Sequence, residues 1–213
     1  MRTNYEPRKD YYGQFSTDVL IELYFEGKET GVCVEVGVAN GERGSNTFYF
    51  EKKGWKTLCI EPNPSYFKMA QDIRKECVLA ACGSKNETLP FTVFNIGRNN
   101  IMSSVSGLRP DERLVDQHRN IINDQYLIDV EVRTLDDILS EQKYEKNIDF
   151  ISIDTEGTEL DVLKGLNLDY WDVRLLVVEN NFNDRDIEEY LNNFGYKKDA
   201  RWKINDFYIK ESK

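Results

Sequence analysis

The chain has 213 residues, and its 28 basic and 38 acidic side chains give a net charge of −10. That balance argues against a nucleic-acid partner held by a broad basic face and against adhesion to anionic membranes. Hydrophobic residues at 40% and charged residues at 31% suit a single globular domain over 1–213, and no apolar run approaches the ~20 residues of a membrane span.

The N-terminal stretch MRTNYEPRKDYYGQF has no apolar signal-peptide core. Cysteines stand at 33, 59, 77 and 82 without a Cys-x-x-Cys pair, so reduced thiols and a cytoplasmic setting are expected and a zinc site is not. Residues 1–30 read as an N-terminal helical segment ahead of a core over 31–213. Ser16 or Thr17 can cap its helix, in which Val19, Leu20, Leu23 and Tyr24 recur at helical spacing. Val32 to Val36 is a short apolar run bounded by glycines and predicts a buried strand of a parallel sheet. The turn Gly37-Val38-Ala39-Asn40-Gly41 follows. Gly37 lets the chain turn sharply, and Gly41 removes a side chain where a ligand or a helix must come close. Glu35, just before the turn, can accept from an ammonium or a ribose hydroxyl.

Ser45-Asn46-Thr47 opens a helical stretch through Phe48, Phe50 and Glu51. Lys56 to Ile60 predicts a second strand ending at Glu61, an acid placed to take both ribose hydroxyls of a bound nucleoside. Asn63 and Pro64 suit the N-cap and first position of a helix whose apolar face is Tyr66, Phe67, Ala70 and Ile73. Cys77 to Ala81 predicts a third strand, closed by Cys82-Gly83-Ser84. Strand, helix, strand, helix, strand argues a doubly wound parallel sheet. Residues 87–132 break that rhythm and read as an insertion over the C-terminal edge of the sheet, where ligands bind. Within it come a strand or hairpin arm at 87–95, a polar loop at 97–107 and a strand at 127–132. A helix opened by Pro110 has Leu114, Val115, His118, Ile121 and Ile122 on one face. The regular order resumes with a helix capped by Thr134 and a strand from Ile148 to Ile153 that ends at Asp154. Leu160 to Leu166 is helical, Arg174 to Val178 is a strand ending at Glu179-Asn180-Asn181, a helix carries Ile187, Tyr190, Leu191 and Phe194, and Phe207 to Ile209 is a final strand.

Glu35, Gly37 and Gly41 have the acid-x-Gly-x-x-x-Gly spacing that resembles motif I of class I S-adenosylmethionine (SAM)-dependent methyltransferases. With it come YYGQFSTDVLIELYF (11–25), GWKTLCIEPNP (54–64), IDFISIDTEGTEL (148–160) and LLVVENN (175–181), in that order. Together these segments resemble the FkbM family of methyltransferases over about 11–210, the run Asp154-Thr155-Glu156-Gly157-Thr158-Glu159 being the most specific piece. One departure is Asn40, where relatives often carry aspartate. The resemblance implies a Rossmann-like class I methyltransferase fold of the α/β class: a doubly wound, mostly parallel seven-stranded sheet with an antiparallel last strand and an insertion at about 87–132. It implies SAM as cofactor, with Glu35, Gly37, Asn40, Gly41, Asn46, Glu61, Pro62, Cys82 and Asp154 around it. It also implies methyl transfer to a hydroxyl oxygen, with a sugar of a glycan or glycosylated metabolite as acceptor or, alternatively, a non-sugar small molecule.

Methyl transfer to a neutral hydroxyl needs alignment and a proton acceptor. Asp154 and Glu156 stand at a strand tip, and Asp154, Glu179 and Asn180 together resemble the magnesium site of catechol O-methyltransferases, so Mg2+ or Mn2+ is a candidate second cofactor. Against that, Glu156 and Glu159 also suit a helix N-terminus. His118, the chain's one histidine, is either a packed residue or a base carried in by the insertion. Tyr5, Tyr11 and Tyr12 either line a sugar site or pack, and Ser103, Ser104, Arg109, Asn120 and Asn123 can hydrogen-bond hydroxyls. Two other readings stay open: a nucleotide-sugar or NAD enzyme, against which stands the absence of Gly-x-Gly-x-x-Gly, and a catalytically silent SAM-binding module.

Overall fold

The computed structural model describes residues 11–96, 101–102 and 106–211. Five parallel strands form the centre of the fold: β1 (Val32–Val36), β2 (Lys56–Glu61), β3 (Cys77–Leu79), β8 (Asn147–Ile153) and β9 (Asp172–Glu179). A C-terminal hairpin, β10 (Tyr196–Trp202) and β11 (Asn205–Lys210), completes the sheet: the last strand, β11, lies antiparallel against β9, and β10 lies antiparallel to β11 and so runs in the direction of the central strands. The seven-stranded order is β10-β11-β9-β8-β1-β2-β3. The expected doubly wound, mostly parallel sheet with an antiparallel last strand is therefore the observed one.

Both faces of the sheet are covered, which is why its central strands read as unbroken apolar runs. On one face Val34, Val36, Leu58 and Ile60 pack with helices α5 (Leu135–Glu141), α6 (Glu159–Lys164) and α7 (Asp186–Asn192). On the other, Cys33, Phe150 and Val177 meet α1 (Thr17–Tyr24) and α2 (Phe48–Lys52) through Ile21, Phe25, Phe50 and Trp55. Helix α3 (Pro64–Gln71) starts as expected, with the Asn63 side chain accepting from Ser65 N at 3.0 Å and Pro64 in its first turn. Thr134 caps α5 by accepting from Asp137 N at 3.2 Å. No helix among the described residues is long and apolar enough to cross a membrane.

The insertion builds a second, four-stranded sheet in the order β4-β7-β5-β6: β4 (Ala81–Cys82), β5 (Glu87–Ile96), β6 (Ile101–Met102) and β7 (Ile122–Arg133). The single strand expected at 77–81 is divided, because the chain leaves the large sheet at Ala80 and pairs next with β7. Strand β7 is twelve residues long and starts at Ile122, so the apolar face expected of helix α4 (Glu112–His118) stops short, with Ile121 47% exposed. In α1 the buried positions are Thr17, Asp18 and Ile21, while Leu23 is exposed. Ser16 is not a side-chain cap; its backbone is left-handed at φ 59°. Asp18 gathers the amides of Tyr12 and Gly13 instead, at 2.6 and 2.9 Å. Strand β10 went unforeseen because YKKDARW is polar: it forms the outer edge of the sheet and buries only Tyr196.

Candidate active site

The C-terminal tips of β1, β2 and β8 open onto a cavity of about 720 Å3, roofed by the insertion. It lies where strand order reverses, β1 being flanked by β2 on one side and β8 on the other, the position at which open α/β sheets bind ligands. Of the expected site residues, Gly37, Asn40, Glu61 and Pro62 line it from β1 and β2. Cys82, Asp154 and Glu156 line it from β4 and the β8 tip.

Glu61 is 5% exposed. Its two carboxylate oxygens accept from Ala39 N at 2.8 Å and Asn63 N at 2.9 Å. Each oxygen keeps a free lone pair, so the group can accept two further donors, such as a vicinal diol. Burial pushes this carboxyl up to about 8, although the two amides pull it down. Ala39 is left-handed at φ 47° without being glycine, a conformation of order 1 kcal/mol uphill that holds only where its surroundings fix it. Here the Glu61 bond fixes it. Asn40 turns its side-chain oxygen back onto the amides of Glu42 and Arg43, at 3.1 and 3.0 Å, and shapes the loop. Gly37, at φ 84°, sits against the β8 tip, where a Cβ would lie 1.7 Å from the Asp154 carbonyl oxygen.

Three expected cavity residues are not in its wall. Glu35 is buried, and its oxygens accept from Ser45 Oγ at 2.6 Å, Asn46 N at 2.7 Å and Thr47 Oγ1 at 2.5 Å. It points at the loop leading into α2, because residues alternate along β1 and the even-numbered valines take the opposite face. Asn46 is buried with it and donates to Ser152 Oγ at 3.0 Å. Gly41 makes room for a helix: a Cβ there would meet the Ala70 Cα of α3 at 2.8 Å. The residue that sequence reasoning missed is Arg74. Its buried guanidinium donates to Glu51 at 2.8 Å, the Gly41 carbonyl at 2.9 Å, Ser45 Oγ at 3.1 Å and Thr47 Oγ1 at 2.7 Å, and lies 3.6 Å from Glu35. Nothing in its sequence neighbourhood marks it; the signal was only that Glu35 and Glu51, both in apolar surroundings, need a cation.

Asp154, Glu156 and Glu179 come together, with one oxygen of each within 4.8 Å of the others. Burial raises all three carboxyls above their ordinary range, and for Glu156 and Glu179 the Asp154 charge adds to it. Such a cluster can accept a proton or hold a cation. Asn180 does not complete it as expected: its amide donates to the Asp184 carbonyl and Asp206 and accepts from Asp184 N, fastening the loop after β9. Glu159 is occupied at the α6 terminus by Thr155 and Gly157 N. The structure does not bring His118 together with these acids. It lies outside the cavity wall, at the end of α4, with Nδ1 on the Leu114 carbonyl at 2.9 Å.

The N-terminal strap Tyr12-Gly13-Gln14 forms a further wall. It is tied to the glycine loop by Gly44 N donating to the Tyr12 carbonyl at 2.9 Å and Gln14 N to the Gly44 carbonyl at 3.3 Å. Tyr12 packs edge-on to Phe48 at 4.7 Å, and Tyr11 stacks on Tyr49 at 4.3 Å outside the wall. From the insertion come Phe91, Ile96, Ser106 and Leu108. Arg109 pairs with Asp161, and Arg109, Asn120 and Asn123 lie outside the wall. Tyr5, Ser103 and Ser104 lie outside the described residues, as does most of the loop expected at 97–107.

The family pattern described as "Methyltransferase FkbM domain" matches residues 35–198. Among curated proteins, Methyltransferase 1 of Beauveria bassiana (strain ARSEF 2860) is 26% identical over 147 residues, covering 63% of this chain and 59% of that one. Methyltransferase sdnD of Sordaria araneosa is 29% identical over 146 residues, covering 58% and 56%. The match thus spans less than two thirds of either relative's length. Among solved structures, precorrin-6y C5,15-methyltransferase from Geobacter metallireducens aligns with a TM-score of 0.48 at 10% identity, over 95% of this chain and 90% of that one.

Proposed function

The chain belongs to the FkbM methyltransferase family, and from that premise we propose that it is a SAM-dependent O-methyltransferase acting on a hydroxyl of a sugar, in a glycan or a glycosylated metabolite. The observation that carries the reading is Glu61, a buried carboxylate at the β2 tip with one spare acceptor site per oxygen, in the wall of a cavity that Asp154 and Glu156 also line. Those acceptors suit the hydroxyls of a nucleoside beside Glu61 and of a methyl acceptor beside Asp154 and Glu156.

SAM, when bound, supplies a methyl carbon activated by a sulfonium. The chain's own residues do the rest. Glu61 accepts from both ribose hydroxyls, and Pro62 and Cys82 flank the base. Gly37 leaves the space over the β1 tip open to the amino-acid end, and Asp154 bounds it from the β8 side. The acceptor enters under the insertion, where Phe91 and Leu108 offer apolar faces for a sugar ring and Gln14 offers hydrogen bonds. Asp154 or Glu156 takes the hydroxyl proton as the oxygen attacks, which is geometrically open to both because both face the cavity. The acidic surface supports a neutral acceptor over a polyanion.

Incubation with methyl-labelled SAM and a panel of oligosaccharides, phenols, peptides and nucleic acids tests the reading. Label is expected on a sugar oxygen. Label on a phenol alone keeps the reaction and removes the sugar; label on nitrogen of peptide or nucleic acid, with none on oxygen, overturns it.

A further inference from the structure

Asp154 follows β8 directly and Glu179 ends β9, its parallel neighbour. The register Ile153 opposite Val178 brings the two acids side by side. Glu156, two residues on, turns back to them through a left-handed backbone at φ 61°. Among the described residues no lysine or arginine pairs with any of the three; Arg109 goes to Asp161, and Arg113 goes to Asp111 and Asp184. The nearby amides of Thr155 and Gly157 donate to Glu159. Glu179 is 4% exposed, and among the described residues no N–H or O–H donor reaches its Oε2; the side chain set beside it, Asp154, is a second acid. A buried carboxylate oxygen that meets no donor is costly, so a group of three in a native fold asks for a positively charged partner.

The spacing says which ligand. Carboxylate oxygens are the donors hard divalent cations prefer, at ~2.3–2.6 Å for Ca2+ and ~2.0–2.1 Å for Mg2+. Two oxygens on opposite sides of such an ion stand roughly twice that distance apart, about 4.6–5.2 Å for Ca2+ and about 4.0–4.2 Å for Mg2+, so oxygens within 4.8 Å of one another can share a Ca2+-sized ion as they stand and would close slightly on a smaller one. There is also room for more ligands. Glu156 lines both the main cavity and a smaller one of about 170 Å3 that also touches Glu179.

We propose that Asp154, Glu156 and Glu179 bind one hard divalent cation at the junction of the two cavities, with open positions for water and for an acceptor oxygen. Glu156 takes the place expected of Asn180. The ion's contact with the acceptor rests on the methyltransferase reading, but its binding does not.

The test is Mn2+ binding to chelator-stripped protein without SAM, followed by electron paramagnetic resonance and by thermal shift. One Mn2+ per chain is expected, weakened at least tenfold in Glu179→Gln and in Glu156→Gln and unchanged in Asp161→Asn, with circular dichroism confirming each fold. The absence of saturable binding, or binding that neither glutamine variant alters, overturns the proposal. SAM affinity of the stripped protein is measured alongside. Intact SAM binding without a Mn2+ site removes the ion and leaves the function, whereas a Mn2+ site without SAM binding does the reverse.

Discussion

Glu61 carries a pH signature. Its carboxyl stands at about 8 in the fold against an ordinary 4.5, so the protonated form stabilises the empty protein at low pH and that contribution is lost as pH rises from about 4.5 to about 8. Hydroxyl donors favour the charged form. SAM affinity is therefore expected to rise between about pH 6 and pH 8, by at most tenfold per pH unit for one proton, and to level off above. Calorimetry in buffers of different ionisation enthalpy should show a proton released on binding below pH 8. Glu61→Gln should lose that proton, and Glu61→Ala should bind ~1–3 kcal/mol more weakly. An acid ending an apolar run made this residue legible from sequence. Glu35, inside a similar run, was equally visible, but its direction was not: which face an alternating strand turns to solvent, cavity or core depends on what packs there, and its partner Arg74 lies in a distant segment.

Arg74 joins three elements. From its place just after α3 it bonds the glycine loop at Gly41, the entry to α2 at Ser45 and Thr47, and α2 itself at Glu51. Arg74→Ala leaves Glu35 and Glu51 buried without their cation, and is expected to lower unfolding free energy by ~3–5 kcal/mol in chemical denaturation. If the unfolding midpoint stayed within error of the wild type, the guanidinium would not be what holds the loop. Elements built on a single strong pattern were legible: β1, β2, β8 and β9 as apolar runs, α3 and α5 by their caps. Edge strand β10 was not, because half its surface faces water and its residues are those of a loop. The break at Ala80 was not legible either. Cys77 to Cys82 is uniformly apolar, and only pairing with β7, some fifty residues on, divides it.

At the scale of the molecule, the fold is two sheets meeting over one cavity. The large sheet supplies the tips of β1, β2 and β8; the smaller one supplies a wall and the roof. The order of strands and helices made the large sheet readable, while the smaller one needed long-range pairing between β5 and β7 that no local pattern encodes. Strand β4 belongs to that smaller sheet: Ala81 and Cys82 pair with β7, which pairs in turn with β5, the strand carrying Phe91. On the proposed reading, a residue beside SAM and a wall beside the acceptor are thus parts of one hydrogen-bonded ladder, and a shift in either is expected to reach both. The two binding equilibria should then be linked and, by thermodynamic necessity, linked equally in both directions. Whatever factor an acceptor adds to SAM affinity, SAM must add to the acceptor's, within the ~5–150-fold range usual for such coupling. Titrating each ligand with and without the other measures that factor twice, and equal affinities in the two conditions would show that the ladder transmits nothing.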